Sequence, residues 1–314
     1  MNNATSNRRP PSSGPTRQER LPHRHPVAAF LLLAFGIGWP SLAVPVLVGI
    51  PTGPFLLFLV FVPLLGSALL VTRMADGPGA VRSLLSRAVQ WRFGPGRWAV
   101  IVFGVPALTV LLAAVSGTLV SPPAGWWAET GSYLFGTFVF GALTLNVWEE
   151  TAWGGFAQSR LMARHGLLRS SLITAVLFAA IHVPLYFSWG LGGAELAASL
   201  ATLFAIAPVY RYLLGMHLLD TGGSILAIGV QHASWNAAQQ LGMVDGGTWS
   251  WQALTATLLL TVGVAVGRRI AGGPSLPIGR SAERAAAAEW IGARPRASRT
   301  VRQRTWTTQL PASA

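Results

Sequence analysis

The sequence predicts an all-α, polytopic membrane protein with about eight transmembrane helices. Of its 314 residues, 52% are hydrophobic and 11% are charged, whereas an ordinary soluble domain has about 25% charged residues. Eight apolar segments follow one another, and each is close to the ~20 residues that a helix needs to cross the hydrocarbon core of a bilayer. Cysteine is absent, which excludes disulfides and thiolate metal sites.

The predicted spans are separated by short polar linkers. They cover residues 27–49, 55–72, 98–120, 132–159, 170–189, 196–218, 221–241 and 249–267. Together they form one transmembrane domain at residues 27–267. Residues 1–26 are polar and rich in Pro and Arg, which predicts a disordered cytoplasmic arm. Residues 268–314 form an Arg-rich cytoplasmic tail, which we expect to be solvated and to touch anionic lipid, with a short helix near "SAERAAAAEWIG".

The arginines predict the topology. All 23 cationic side chains are Arg, and they concentrate in the termini and in the linkers at residues 73–97 and 160–169, while the intervening linkers carry none. This distribution predicts a multi-pass protein of the plasma membrane with both termini in the cytoplasm. Because the charge is not gathered on one face of a soluble domain, we expect no nucleic-acid binding. Arg211 departs from the pattern, since it lies within the sixth span.

Five strongly polar residues lie inside the spans, where such groups are costly and usually functional. Glu149 and Glu150 belong to the fourth span, His182 to the fifth, and His232 and Asn236 to the seventh. Counted at about 1.5 Å per residue from the cytoplasmic end of each helix, Glu149, His182 and His232 lie ~16 to ~20 Å deep. They share one level, so we expect a single intramembrane active site.

These residue types suit more than one chemistry. A buried carboxylate beside imidazoles can activate a water for attack on a carbonyl, while Asn or His side chains hydrogen-bond to the developing oxyanion. Glu149, His182 and His232 are also a ligand set that suits Zn2+ with an open position for water. A third interpretation is a proton path in a transporter or channel. The residue types alone leave all three open.

Three motifs on separate spans resemble those of a known family. The stretches "EETAWGGF", "FAAIH" and "HASWN" are similar to the EExxxR, FxxxH and HxxxN motifs of the CAAX protease and bacteriocin-processing family (CPBP, also called Abi). The family consists of multi-pass intramembrane endopeptidases, and the resemblance covers roughly residues 27–267. It therefore implies a CAAX prenyl endopeptidase-like protease, and it leaves open whether a metal takes part.

The resemblance also implies a role for each polar residue. Glu149 would activate the hydrolytic water, and Glu150 would be the supporting carboxylate. His182 would help to position that water. His232 and Asn236 would stabilise the oxyanion.

One position departs from the family pattern. Gly154 stands where the EExxxR motif has Arg, so the guanidinium that would hold a glutamate is missing. We hypothesise that Arg211 compensates from the sixth span. The alternative is that the chain is a non-catalytic scaffold or immunity protein of the same family.

The expected substrate follows from the depth of the site. We expect membrane-tethered or hydrophobic peptides to enter a cavity reached from the cytoplasmic side. Prenylated CAAX tails fit the family. The all-Arg, Gly/Ala/Pro-rich composition indicates a GC-rich bacterial source, where a bacteriocin-like peptide or the terminus of a membrane protein is the more natural substrate.

Overall fold

The described part of the chain consists of helices joined by short linkers. The structure is a computed structural model, and it describes residues 21–123, 125–245, 249–272 and 279–292. Over these ranges there is no strand, and one isolated bridge pairs Leu119 with Val244. The all-α prediction is therefore confirmed. Most of the predicted arm, and residues 273–278 and 293–314 of the predicted tail, lie outside the described residues.

The helices follow the chain in the order α1 to α11. They are α1 Leu21–Arg24, α2 Pro26–Val48, α3 Gly53–Asp76, α4 Pro78–Arg87, α5 Pro95–Ser116, α6 residues 126–165, α7 Leu167–Phe187, α8 Gly193–Asp220, α9 Ile225–Ala238, α10 Trp251–Ala271 and α11 Arg280–Trp290.

Six of these described helices, α2, α3, α5, α7, α8 and α10, are long and apolar enough to cross a bilayer. The other two predicted spans correspond to α6, which carries both glutamates, and to α9. Helix α9 has 14 residues and is therefore about 21 Å long, shorter than the ~30 Å hydrocarbon core. The polytopic architecture agrees with the prediction, and the count of eight spans stays a prediction.

Local chemistry accounts for where several helices begin and end. Proline lies in the first turn of α2, α3, α4 and α5, where its missing N–H leaves no hydrogen bond unmade. Gly49 and Gly117 follow α2 and α5 with φ of 72° and 73°, the left-handed conformation that ends a helix. Ser224 is the N-cap of α9, since its Oγ accepts the N–H of Ala227 at 3.0 Å.

Helix α6 changes its winding around the two glutamates. Two π-helical stretches, Gly136–Asn146 and Thr151–Gln158, flank the short α-helical segment Val147–Glu150. The wider turns are visible in the side chains, since Ser159 Oγ donates to the carbonyl of Gly154, five residues earlier, at 2.8 Å. The π-helical turn is uncommon and often marks a functional site. The two glutamates therefore lie on a short α-helical segment between two stretches with wider turns.

Helices α6 and α9 pack almost backbone to backbone. A Cβ atom added at Gly229 would lie 2.7 Å from the Cα of Val147 and 2.9 Å from its N. A Cβ at Gly141 would likewise lie 2.7 Å from the Cβ of Ala233. Glycine is needed at both positions for this close approach. The packing brings the glutamates of α6 next to the polar residues of α9.

The terminal helix α11 is packed against the body of the protein. The carboxylate of Glu283 accepts the N–H of Leu167, at the start of α7, at 2.8 Å. Ala287 is fully buried, and the guanidinium of Arg87 lies 5.2 Å from the centre of the Trp290 ring. The short helix is therefore confirmed, but the expectation of a solvated tail is wrong for these residues. The Ala-rich face of α11 is packed against the bundle, and the Arg-rich composition of the tail does not predict this contact.

Arg87 joins three parts of the Arg-rich end of the bundle. Its Nε donates to the carbonyl of Gly223 at 2.7 Å, Nη1 to the carbonyl of Gly155 at 3.3 Å and Nη2 to Ser159 Oγ at 3.3 Å. Burial, and then the charge of Arg160, lower the pKa of Arg87 from its usual 12.5 to about 9. The side chain still carries its charge at neutral pH and ties α4 to α6 and to the linker before α9.

Candidate active site

Glu149 lies where α6, α7 and α9 meet. Its Oε1 is 3.6 Å from Nε2 of His182, and its Oε2 is 3.9 Å from Nδ1 of His232. The side chain is buried but retains 9% exposure, so a small molecule can reach it. The structure brings these three side chains together, as their shared level in the sequence predicts.

The orientation of His182 is fixed by its own helix. Its Nδ1 is 2.7 Å from the carbonyl oxygen of Phe178, one helical turn earlier. Because a carbonyl only accepts, Nδ1 carries the hydrogen, and in the neutral ring Nε2 is left as an acceptor that points to Glu149. The ring of Phe178 packs against the imidazole with 4.6 Å between centroids. The FxxxH motif therefore sets both the position and the tautomer of His182.

Glu150 and Arg211 form a fully buried ion pair between α6 and α8. Nη1 of Arg211 donates to both carboxylate oxygens of Glu150, at 2.7 and 2.9 Å. The remaining side of the guanidinium donates to Oε1 of Gln158, from Nε at 3.1 Å and from Nη2 at 2.6 Å. Both charged side chains have 0% exposure. Burial at this level is tolerated because each charge is paired and hydrogen-bonded.

Arg211 lies beside the glycine that departs from the EExxxR pattern. A Cβ added at Gly154 would lie 2.3 Å from Cδ1 of Ile228, 2.9 Å from Oε2 of Glu150 and 3.6 Å from Nη2 of Arg211. A side chain at residue 154 would thus enter the space that the Arg211–Glu150 pair already uses. This geometry supports the hypothesis that Arg211 compensates for the missing arginine.

His232 connects the ion pair to Glu149. Its Nδ1 is 3.0 Å from Oε1 of Glu150, and since an ionised carboxylate only accepts, Nδ1–H is the donor. The two glutamates are adjacent in sequence and share His232 as a neighbour, but their other partners differ. Glu150 pairs with Arg211, whereas Glu149 faces His182.

Two polar residues of the site were missed in the sequence. Asn146 donates from Nδ2 to Oε2 of Glu149 at 3.4 Å, and its Oδ1 accepts from Nδ2 of Asn236 at 3.5 Å. Gln158 is the neutral partner of Arg211 described above. Asn146 could have been found, because it lies three residues before Glu149 and therefore on the same helical face. Both amides are neutral and lie outside the three motifs, so neither stands out in the sequence.

The three predicted zinc ligands, Glu149, His182 and His232, are not arranged as a metal site in this structure. Among the described residues, no group of three or more His, Cys, Asp or Glu side chains is placed to hold a metal ion. The nitrogen of His232 that faces Glu149 is Nδ1, which already donates to Glu150. A zinc ligand must offer a free lone pair at that nitrogen. The chemistry below is therefore derived from the side chains alone.

A cavity of about 660 Å3 adjoins the site. Its inner end is formed by Asn146 and Asn236, and its outer end lies beside Glu129 and Gln240. This mouth is at the end of the bundle opposite the Arg-rich linkers. If the arginine-rich end is the cytoplasmic one, as the sequence predicts, this position disagrees with the predicted approach of the substrate from the cytoplasmic side.

The family comparison falls on the segment that holds this site. The family described as "Type II CAAX prenyl endopeptidase Rce1-like" matches residues 131–238. This range includes Asn146, both glutamates, Arg211 and Asn236. Among curated proteins, none matches the chain. Residues 131–238 are therefore similar to the Rce1-like type II CAAX prenyl endopeptidase family, which is consistent with the resemblance of the three motifs to the CPBP family.

Proposed function

We propose that this chain is an intramembrane endopeptidase that cleaves membrane-associated proteins or peptides with a water activated by Glu149. The observation that carries the proposal is the placement of the Glu149 carboxylate. It lies 3.6 Å from an acceptor nitrogen of His182 and accepts from Asn146 at 3.4 Å, inside a bundle whose matched family consists of CAAX-type endopeptidases. A buried carboxylate in reach of water is the general base that amide hydrolysis needs.

The attacking water has two acceptors available. It donates one hydrogen to Glu149 and the other to Nε2 of His182, which leaves an oxygen lone pair free to attack the scissile carbonyl carbon. Glu149 takes the first proton as the new C–O bond forms, and a tetrahedral oxyanion results. When the C–N bond breaks, Glu149 returns that proton to the departing amine, so that a carboxyl group and an amine are released.

The oxyanion is stabilised from α9. Asn236 donates from its amide nitrogen, which lies at the inner end of the cavity where a substrate carbonyl would arrive. His232 contributes as a second donor when both ring nitrogens carry a proton. Its orientation is set by Glu150, which Arg211 holds in turn. We assign Glu150, Arg211 and Gln158 as positioning residues, since all three are fully buried and act through His232 or through one another.

Zinc is the alternative activator of the same water, with Glu149, His182 and His232 as its ligands. Because His232 Nδ1 is engaged by Glu150, we propose the reaction without it. Cleavage by the purified protein should survive a strong chelator. Loss of cleavage on chelation, with recovery on adding Zn2+ and not Mg2+, would establish the metal route.

We place the protein in the plasma membrane with both termini in the cytoplasm, on the distribution of its arginines. Its substrates would be membrane-tethered or hydrophobic peptides, of the CAAX type or bacteriocin-like. The non-catalytic alternative rested on Gly154. That support weakens, because Arg211 supplies a guanidinium to Glu150 at 2.7 Å.

The test compares peptide termini in membranes of cells that make the wild type or Glu149→Gln, by mass spectrometry with enrichment of termini. The matched control is Glu195→Gln, which removes an exposed carboxylate at the start of α8. We expect new termini in the wild type and in Glu195→Gln, and their loss in Glu149→Gln at equal expression. Identical termini in all three membranes would reject the protease proposal.

A further inference from the structure

The cavity beside the site has a mouth on one defined side of the membrane. At its outer end lie Gly53 and Glu129, in the first turns of α3 and α6, and Gln240, just after the end of α9. The linkers at this end, residues 49–52, 117–125 and 239–250, contain no arginine, whereas those at the other end carry eight of the 23. By the positive-inside rule, the mouth faces away from the cytoplasm.

The cavity is long enough to hold an extended segment of polypeptide. From Glu129 at the mouth to Asn146 at the site, helix α6 rises by at most roughly 25 Å, the value at about 1.5 Å per residue, because the wider turns of Gly136–Asn146 rise less. An extended chain advances about 3.3 to 3.6 Å per residue, so the cavity accommodates up to about seven residues. Its wall also includes the apolar side chains of Leu57 of α3 and Phe140 of α6, both of which are exposed.

The charge of the cavity wall restricts what can enter. Glu129 is the one ionisable carboxylate among the residues that line it, and none of these residues is Arg, Lys or His. The carboxylate accepts the N–H of Gly242 at 2.7 Å, which holds it at the mouth. A peptide that had to bury its free C-terminal carboxylate here would find no cation to pair with, and an unpaired buried charge is costly. A neutral or cationic segment has no such cost.

We propose that the substrate enters this cavity from the non-cytoplasmic leaflet as an extended, uncharged or cationic peptide segment, which is cleaved internally. The proposal rests on the hydrolytic function proposed above and adds to it the side of entry and the class of substrate. Of the two classes named there it favours the bacteriocin-like peptides, because a CAAX tail ends in a free carboxylate that would find no cation in this cavity. The occupant is thus a segment of a secreted or membrane-inserted peptide, with its basic flank at Glu129 and its scissile bond at Asn146 and Asn236.

The side of entry can be measured directly because the natural chain has no cysteine. Ser132→Cys places a thiol in the cavity wall, and Ser86→Cys places one on α4 at the Arg-rich end, where the side chain is exposed. A membrane-impermeant maleimide applied to intact cells should label Ser132→Cys and leave Ser86→Cys unlabelled until the membrane is opened. The reverse pattern would overturn the proposed side of entry.

The route can be blocked without disturbing the packing. Gly136 lines the cavity and Gly131 does not, and a Cβ added at either would meet no atom within 4 Å. Gly136→Trp should lower kcat/KM at least tenfold by filling the cavity, while Gly131→Trp, the matched control on the same helix, should stay within about twofold of the wild type. Full cleavage by Gly136→Trp would reject the route.

The charge preference is tested with two fluorogenic peptides that share an apolar core and carry either lysine or glutamate flanks. The lysine peptide should be cleaved faster, and Glu129→Gln should reduce that preference about two- to fivefold, the value of one exposed ion pair. Gln keeps an oxygen that accepts from Gly242. Equal preference in both proteins would reject the assignment of Glu129.

The two levels of the proposal fail in different ways. If cleavage depends on Glu149 but Gly136→Trp has no effect, the side and route of entry are wrong and the protease function stands. If Glu149→Gln cleaves as well as the wild type, the protease function itself is wrong, whatever the labelling of Ser132→Cys shows.

Discussion

Removal of the Arg211 guanidinium should destabilise the fold more than any other single change in the site. Arg211→Met keeps the length of the side chain but leaves Glu150 fully buried with its charge unpaired except through His232. It also removes both donors from Oε1 of Gln158. Breaking a buried ion pair by deleting one partner costs about 3 to 5 kcal/mol, and the stranded amide places the expected loss toward the upper end.

A second substitution separates the pair from its surroundings. Glu150→Gln in the Arg211→Met background removes the stranded charge, so the double variant should recover about 2 kcal/mol or more relative to Arg211→Met. The free energy of unfolding is measured by titration with SDS in mixed micelles, followed by tryptophan fluorescence. A loss below ~1 kcal/mol in Arg211→Met, or a double variant whose loss is the sum of the two single losses, would refute the reasoning.

Relocation of the guanidinium tests the compensation hypothesis. Gly154→Arg restores the EExxxR motif, but its Cβ would lie 2.3 Å from Cδ1 of Ile228, so Ile228→Ala must accompany it. The triple variant with Arg211→Met should regain part of the stability and cleavage that Arg211→Met loses. The double variant of Arg211→Met with Ile228→Ala is the control for the cavity that the alanine leaves. A triple variant no better than this control would show that the two guanidinium positions are not equivalent.

Three further changes have defined expected outcomes. Asn146→Ala should lower kcat about tenfold with an unfolding free energy within ~1 kcal/mol of the wild type, because it removes a donor from Glu149; an unchanged kcat would mean that this contact is passive. Gly229→Ala should cost about 2 to 3 kcal/mol, since the new methyl group meets the backbone of Val147, and a neutral effect on unfolding would show that α6 and α9 can move apart. Truncation after Gly279 should lower the thermal midpoint by removing α11, with the cleavage site in a model peptide unchanged; a shifted cleavage site would contradict its purely structural packing.

The membrane architecture and the convergence of the site were both open to prediction from sequence. Apolar length and the placement of Arg are set by the bilayer itself, so α2, α3, α5, α7, α8 and α10 follow from composition. Glu149, His182 and His232 could be brought together because the rise of a helix converts sequence distance into depth. This calculation needed no knowledge of how the helices pack.

The features that the sequence did not reveal depend on packing. Helix periodicity assumes regular turns, so the π-helical stretches around Val147–Glu150 could not be foreseen. The roles of Asn146 and Gln158 follow from side chains on other helices, Asn236 and Arg211, and the sequence does not show that these are neighbours. The end of the bundle at which the cavity opens depends on how α3, α6 and α9 pack against one another. Hydropathy carries no information on that packing. The Arg-rich composition around α11 predicts a solvated tail. Its packing depends on the contact of Glu283 with Leu167, which are far apart in the sequence, so local composition does not reveal it.

The buried pair of Glu150 and Arg211 also constrains how the protein can be made. The two residues are 61 positions apart, so the glutamates of α6 leave the ribosome well before their cation. Either charge alone in the lipid costs ~2.5 to 3.5 kcal/mol on insertion scales, and that cost disappears only when α8 arrives. Helix α6 should therefore wait at the insertion machinery, or be chaperoned there, until α8 is synthesised. Biogenesis of this bundle is thus expected to proceed by co-insertion of α6 to α8 rather than helix by helix.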